Sequence, residues 1–142
     1  MDRFDLARFR AAQEGAYAAA HAELKAGRKR SHWMWFIFPQ MRGLGRSETA
    51  RFYGIGSRAE AEAYLADPTL GPRLIEACRA MLAHEGATAR EILGAPDDLK
   101  LRSCATLFSA LPEAPPVFRR LLDRYFDGDA DARTLALLGD NS

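Results

Sequence analysis

Apolar residues recur at intervals of three and four along most of the chain, which is the spacing that places side chains on one face of an α-helix. The first apolar stripe predicts a long helix over residues 6–26, capped by Asp5 and ended by Gly27. Further helices are predicted over residues 48–53, 59–66, 72–84, 97–111, 117–126 and 132–138, with a short one that ends at Gly94. Alternation of apolar and polar residues, the pattern of a strand, is confined to the neighbourhood of residues 52–55.

Polar residues that can cap helices stand at several predicted starts. They are Ser47, Ser57 with Glu60, Thr88 with Glu91, Asp97 or Asp98, and Asp131. Together with the apolar stripes they predict an all-α protein, a single compact multihelical domain of about seven or eight helices over residues 1–142. The length of 142 residues suits one domain, and a hydrophobic fraction of 48% with 27% charged residues is ordinary for a folded globular chain.

Cysteine content and hydropathy bear on the compartment. Cys78 and Cys104 are too few for a disulfide framework and are interpreted as small core residues in a reducing environment. The first ten residues are charged and lack the apolar core of a secretion signal, and the longest apolar run is far shorter than the ~20 residues that cross a bilayer. We therefore expect a cytoplasmic protein without a membrane partner, monomeric or weakly dimeric.

The net charge of +1 and the sequence pI of about 7.8 argue against a nucleic-acid partner. Such a partner would need the cations of residues 25–46 to form one surface stripe.

The most unusual stretch is residues 31–40, called here the aromatic segment, which holds both tryptophans and has four aromatics within six residues. Large aromatics usually belong to the core, so a central helix buried on all sides is the favoured interpretation. The alternative is a wall on which a planar ligand stacks, and cations on both sides of the segment suit an anionic, nucleotide-like one. The ligand-binding residues predicted here are Lys29, Ser31, Trp33, Trp35, Gln40, Arg42 and Arg46.

A second candidate lies on the predicted helix that starts near Asp97. Asp97, Lys100, Ser103 and Thr106 recur at steps of three, so they can line one side of a cleft. Asp97 and Lys100, with His32 of the aromatic segment, are the predicted proton-transfer residues, and Ser103 and Thr106 are predicted to bind the ligand. The alternatives are a structural histidine and an Asp97–Lys100 surface pair at a capped helix start.

No metal or cofactor site is predicted. The three histidines are isolated, there is no paired-cysteine spacing, and the acidic run at residues 127–131 lacks the glycine and glutamate of a calcium loop. The glycines do not form a phosphate-binding fingerprint.

Residues 31–40, 43–45, 64–65 and 70–74, with a second motif at 97–103 and 106–108, resemble a bacterial and fungal family of unknown function. Its members often carry the label calpastatin. The resemblance covers residues 4–138 and implies an all-helical single domain but no activity. Cys104 stands where this family is expected to have serine or methionine, which argues against a catalytic role there. Protease inhibition is not inferred, because calpastatin inhibitory regions are disordered whereas this chain has capped helices and apolar stripes.

Two functions remain open. The first is a domain that binds, or acts on, a small anionic nucleotide-like or phosphorylated ligand between the two motifs. The second is a non-catalytic interaction module with an exposed apolar patch, for which residues 112–116 would form the rim.

Overall fold

Ten α-helices make up the regular structure of residues 3–140, the part of the chain that this computed structural model describes. In chain order they are α1 (Ala7–Glu14), α2 (Tyr17–Ala26), α3 (Met34–Ile37), α4 (Glu48–Tyr53), α5 (Arg58–Ala66), α6 (Leu70–Leu82), α7 (Ala89–Leu93), α8 (Asp97–Ser109), α9 (Pro116–Phe126) and α10 (Ala132–Asp140). The described residues contain no strand beyond a single bridge between Met41 and Ile55. The predicted all-α fold is confirmed.

The first predicted helix is in fact two helices. The backbone leaves helical geometry at Ala16, with φ −124°, immediately after Gly15, a residue of low helix propensity. This break and the single turn of α3 raise the helix number above the seven or eight predicted. The predicted end at Gly27 is confirmed, with φ +77°.

The predicted cap at Asp5 is wrong. Asp5 adopts φ +52°, not the extended conformation from which a capping side chain reaches the helix, and α1 begins after Leu6 without a side-chain cap. The predicted start of α8 at Asp97 is confirmed, and Pro96 occupies the cap position without a side-chain hydrogen bond.

Other caps follow the prediction. Ser47 and Thr88 accept hydrogen bonds from the third residue of their helices, and Thr88 forms a complete capping box with Glu91. Ser57 caps α5 in the same way, but Glu60 does not complete a box there. Its carboxylate accepts from the Gly56 N–H and from the Arg8 guanidinium instead, so a contact remote in sequence replaces the local one.

Helix α8 lies at the centre of the core. It packs against α7, α9 and α10 and buries the predicted stripe of Leu101, Cys104, Phe108 and Leu111. Cys78 and Cys104 are free and buried, as expected of small core residues. None of the helices in residues 3–140 is both long enough and apolar enough to cross a membrane.

Candidate functional site

The aromatic segment is divided between the core and the surface. Only its middle, α3, is helical, and Trp33, Met34, Ile37 and Phe38 are each at most 3% exposed. Trp35, in contrast, is half-buried and lines a cleft. The core interpretation is therefore confirmed for these four buried residues but not for Trp35, and the prediction of a central helix buried on all sides is wrong.

Glu23 of α2 anchors the start of the aromatic segment. Its carboxylate accepts hydrogen bonds from the backbone N–H of Arg30 and of Ser31, from the Ser31 hydroxyl, and from Trp33 Nε1 at 3.0 Å. Burial acts to raise the pKa of Glu23, but these hydrogen bonds outweigh it and lower the pKa to about 2. Ser31 and Trp33 are thus held by Glu23, and Trp33 has no face free for a ligand.

Trp35 lies on the open side of α3. The loop that follows the segment passes close to its ring, because a Cβ on Gly45 would lie 3.6 Å from Trp35 Cη2. The same Cβ would lie 2.7 Å from Ala50 Cβ, so only glycine lets the loop approach α4 this closely. Gly45 thereby helps to keep Trp35 at the wall of the cleft.

Asp97, at the start of α8, pairs with two lysines, and each of these lysines lies over one of the two tryptophan rings. Asp97 accepts Lys29 Nζ at 3.0 Å on one oxygen and Lys100 Nζ at 3.1 Å on the other. Lys29 Nζ lies 5.1 Å from the Trp33 ring centroid and Lys100 Nζ lies 4.0 Å from the Trp35 ring centroid. Both are within cation–π range. Asp97 therefore positions the lysine above the indole that lines the cleft.

The cleft has a volume of about 300 Å³ and lies between the two motifs. The aromatic segment and the loop after it provide Trp35, Gln40, Leu44 and Gly45; the N-terminal half of α8 and the residue before it provide Pro96, Leu99, Lys100, Arg102 and Ser103; the start of α10 and the residue before it provide Asp131 and Arg133. Three cations and one carboxylate line it, and two of the cations, Lys100 and Arg102, also pair with Asp97 and Asp129.

Gln40 contributes an unused polar group. The residue is only 9% exposed, and its side-chain amide makes no hydrogen bond within residues 3–140. The amide atoms are not among the buried unpartnered atoms of the described residues, so they are open to solvent on the cleft side and available for hydrogen bonding. The Ser103 hydroxyl donates to the Leu99 carbonyl at 3.2 Å and keeps its lone pairs as acceptors.

Arg102 holds the start of α10, which forms the third wall of the cleft. Its guanidinium donates to the carbonyls of Asp129 at 2.7 Å and Ala130 at 3.0 Å, and it pairs with the Asp129 carboxylate at 2.7 Å. Asp131 then caps α10 through the Thr134 N–H, as predicted. This link fixes the start of α10, from which Arg133 reaches the cleft.

Thr106 supports this wall from inside the core. It is 1% exposed, donates to the Arg102 carbonyl at 2.8 Å and accepts from the Asp131 N–H at 2.9 Å. Its hydroxyl is committed to the fold, so its predicted contact with a ligand does not fit its position.

Several other predicted residues lie away from the cleft. His32 and Arg46 are exposed, and Arg42 is exposed and donates to the Gly54 carbonyl. None of these three lines the cleft. Adjacent residues of an irregular segment point in different directions, so nearness in sequence to Trp33 and Trp35 did not bring them to one site.

The structure also adds residues that the sequence did not single out. Arg102 belongs to the second motif but is off the predicted row of steps of three, and Arg133 lies on a helix remote in sequence. A basic residue within the second motif could have drawn attention to Arg102. No local signal indicated Arg133. No cluster of three or more His, Cys, Asp or Glu with the arrangement of a metal site occurs among the described residues.

Comparisons with known proteins place the chain among relatives whose descriptions name no activity. The model of the family described as "Protein of unknown function (DUF1810)" matches residues 3–138. The chain is also similar to the crystal structure of the conserved hypothetical protein Rv1873 from Mycobacterium tuberculosis, at 51% identity and a TM-score of 0.94, covering 96% of this chain and 97% of that one. None of the curated proteins compared matches the chain. Neither description mentions calpastatin.

Proposed function

The chain belongs to the DUF1810 family, whose description assigns no function, and we propose that it binds a small anionic ligand with a planar ring, nucleotide-like or otherwise phosphorylated, in the cleft. The observation that carries the proposal is the convergence of Trp35 and Gln40 with Lys100, Arg102 and Arg133 around one cavity. An indole face, an unpaired amide and cations are the groups that hold a ring and its phosphate.

Lys100 lies where the phosphate and the ring of the proposed ligand meet. Its ammonium has three N–H donors, one of which is used by Asp97, and it lies over the Trp35 ring. An anion bound to this ammonium draws it from the indole and uncovers a surface on which the ring of the same ligand stacks. Gln40 and the Ser103 hydroxyl then provide hydrogen bonds to polar edges of the ligand.

Binding, rather than turnover, is the function proposed. His32 is exposed and does not line the cleft, so it is not positioned to transfer a proton to a ligand there. Asp97 holds two ammonium groups and acts in the proposal as the positioning residue for Lys100.

The test is a thermal-shift screen of the whole chain against nucleoside phosphates, dinucleotides, ADP-ribose, phosphorylated sugars, free nucleosides and inorganic phosphate. A ligand at a hundred times its Kd stabilises by about 2.7 kcal/mol, which raises the Tm of a chain of this size by roughly 6–10 °C. We expect the largest rise with compounds that combine a ring and a phosphate, and smaller ones with either part alone.

The matched variants are Lys100→Met and Lys25→Met, because Lys25 is an exposed lysine on α2 outside the cleft. Lys100→Met should abolish the rise in Tm and Lys25→Met should keep it. The proposal fails if no anion raises the Tm, or if Lys100→Met responds as the unmodified chain does.

A further inference from the structure

A second depression lies between α5, α6 and the turn that joins α8 to α9, and it shares no residue with the cleft. This groove has a volume of about 510 Å³. Its apolar lining consists of Leu65, Ala66, Ile75, Leu111, Pro112 and Pro115. The last two fall in the stretch that the sequence suggested as a rim for a protein partner.

Two carboxylates line the groove, one from each side. Glu62 lies on α5 and Glu113 lies in the α8–α9 turn, and both residues are exposed. Neither forms an ion pair within residues 3–140, and no cation belongs to the lining of the groove. An apolar floor between unpaired carboxylates complements a segment that carries apolar and basic side chains together.

Glu113 has a strained backbone conformation. It has φ +57°, and the Ala114 N–H donates to the Leu111 carbonyl at 3.3 Å, so residues 111–114 form a β-turn with Pro112 at its second position and Glu113 at its third. Turns of this kind prefer glycine or asparagine at the third position, because a side chain there is strained. The chain keeps a carboxylate at the rim of the groove although glycine would relieve the strain.

The prolines restrict how a partner can bind. Pro112 and Pro115 have no backbone N–H, so this wall offers few donors to an added strand. Recognition must therefore rest on side chains. The surface continues past Leu65 and Ile75 towards Gly71 and Pro72, where Glu76 and Arg79 line its far part, so an extended segment can lie along it.

We propose that the groove binds a short extended segment of a partner protein, in which an aliphatic or aromatic side chain fills the apolar floor and neighbouring lysine or arginine side chains pair with Glu62 and Glu113. This inference is independent of the ligand proposed for the cleft.

The test is a selection of short linear peptides, displayed on phage, against the whole chain. We expect enriched peptides to combine apolar residues with lysine or arginine and, once synthesised, to shift the methyl NMR signals of Leu65, Ile75 and Leu111. Binding should weaken about tenfold or more in the Glu62→Lys/Glu113→Lys double variant and at high salt. The proposal is overturned if no selected peptide shifts these signals, or if charge reversal leaves the affinity unchanged.

Two single substitutions separate recognition from folding. Glu113→Gly removes the carboxylate and relieves the strained φ, so it should raise the Tm while weakening peptide binding. Glu113→Gln removes the charge alone and should weaken binding without the gain in Tm. Full affinity in both variants contradicts a role for this carboxylate. Lys100→Met should bind the peptides normally, and loss of binding in this variant would place them in the cleft and overturn the groove proposal.

Discussion

Trp33 and Trp35 are separated by one residue, each has a lysine ammonium over its ring, and both lysines share the carboxylate of Asp97. They nevertheless differ in surroundings. Trp33 is 1% exposed with its indole N–H bound to Glu23, whereas Trp35 is half-buried and lines a cleft with cations around it. The difference shows that the exposure of an aromatic side chain is decided by what covers its second face, not by its residue type or by the cation over its ring.

The largest effect that can test this comparison is on stability. Trp33→Ala leaves a cavity in a closed part of the core and should lower the free energy of unfolding by roughly 3–5 kcal/mol. Trp35→Ala removes a ring that solvent already reaches and should cost about 1–2 kcal/mol. Urea denaturation followed by circular dichroism measures both. Equal losses would contradict the division of the aromatic segment into a core part and a cleft part.

Glu23→Gln tests the hydrogen bonds that hold Trp33. It replaces an ionised acceptor of several hydrogen bonds and should cost about 1–3 kcal/mol at neutral pH. Because the pKa of Glu23 is lowered from 4.5 to about 2 in the folded chain, its ionised form stabilises the fold above pH 4.5, and this contribution is lost as the pH falls to 2.

The stability difference between the unmodified chain and Glu23→Gln should therefore shrink between pH 4.5 and pH 2. Glu14→Gln, at an exposed glutamate of α1, provides the control for general acid effects. A difference that stays constant over this pH range would show that the carboxylate is not the group that anchors Trp33.

The two tryptophans should also differ in their effect on ligand affinity. Trp35→Ala should weaken a ring-bearing phosphate ligand about tenfold, because stacking on an aromatic side chain contributes about 1–3 kcal/mol. It should leave inorganic phosphate unaffected. Trp33→Phe should change neither affinity, since its ring lies in the core. Isothermal titration calorimetry gives all four constants, and a loss of affinity in Trp33→Phe would place the ligand elsewhere.

The smallest expected effects concern the two lysines. Lys29→Met removes a cation–π contact and one of the two ion pairs of Asp97, so stability should fall by about 0.5–1 kcal/mol while ligand affinity stays the same. Lys100→Met removes the matching contacts with Trp35 and Asp97, so it should lower stability by a similar amount, but it should also abolish ligand binding. Thermal denaturation with and without ligand measures both, and identical behaviour of the two variants would remove the distinction between the two sides of Asp97.

Helices were predictable where local chemistry decides them. Capping residues such as Ser47 and Thr88, the glycine that ends α2, and the apolar stripe of α8 act through neighbours within a few residues, so their pattern alone indicates the structure. One error, the capping box predicted for Ser57 and Glu60, arose where a remote contact competes. The side chain of Glu60 turned to Arg8 and Gly56 rather than completing its local box.

For the site, the sequence by itself determined that two motifs carry the unusual chemistry, and Trp35, Gln40, Lys100 and Ser103 do line one cavity. Only the tertiary structure decided that Trp33 is closed off by Glu23, that Thr106 supports a loop, and that Arg133 reaches the cleft from α10. The physical reason is that periodicity specifies which face of an element is apolar, whereas burial of a given side chain depends on elements distant in sequence that pack over it.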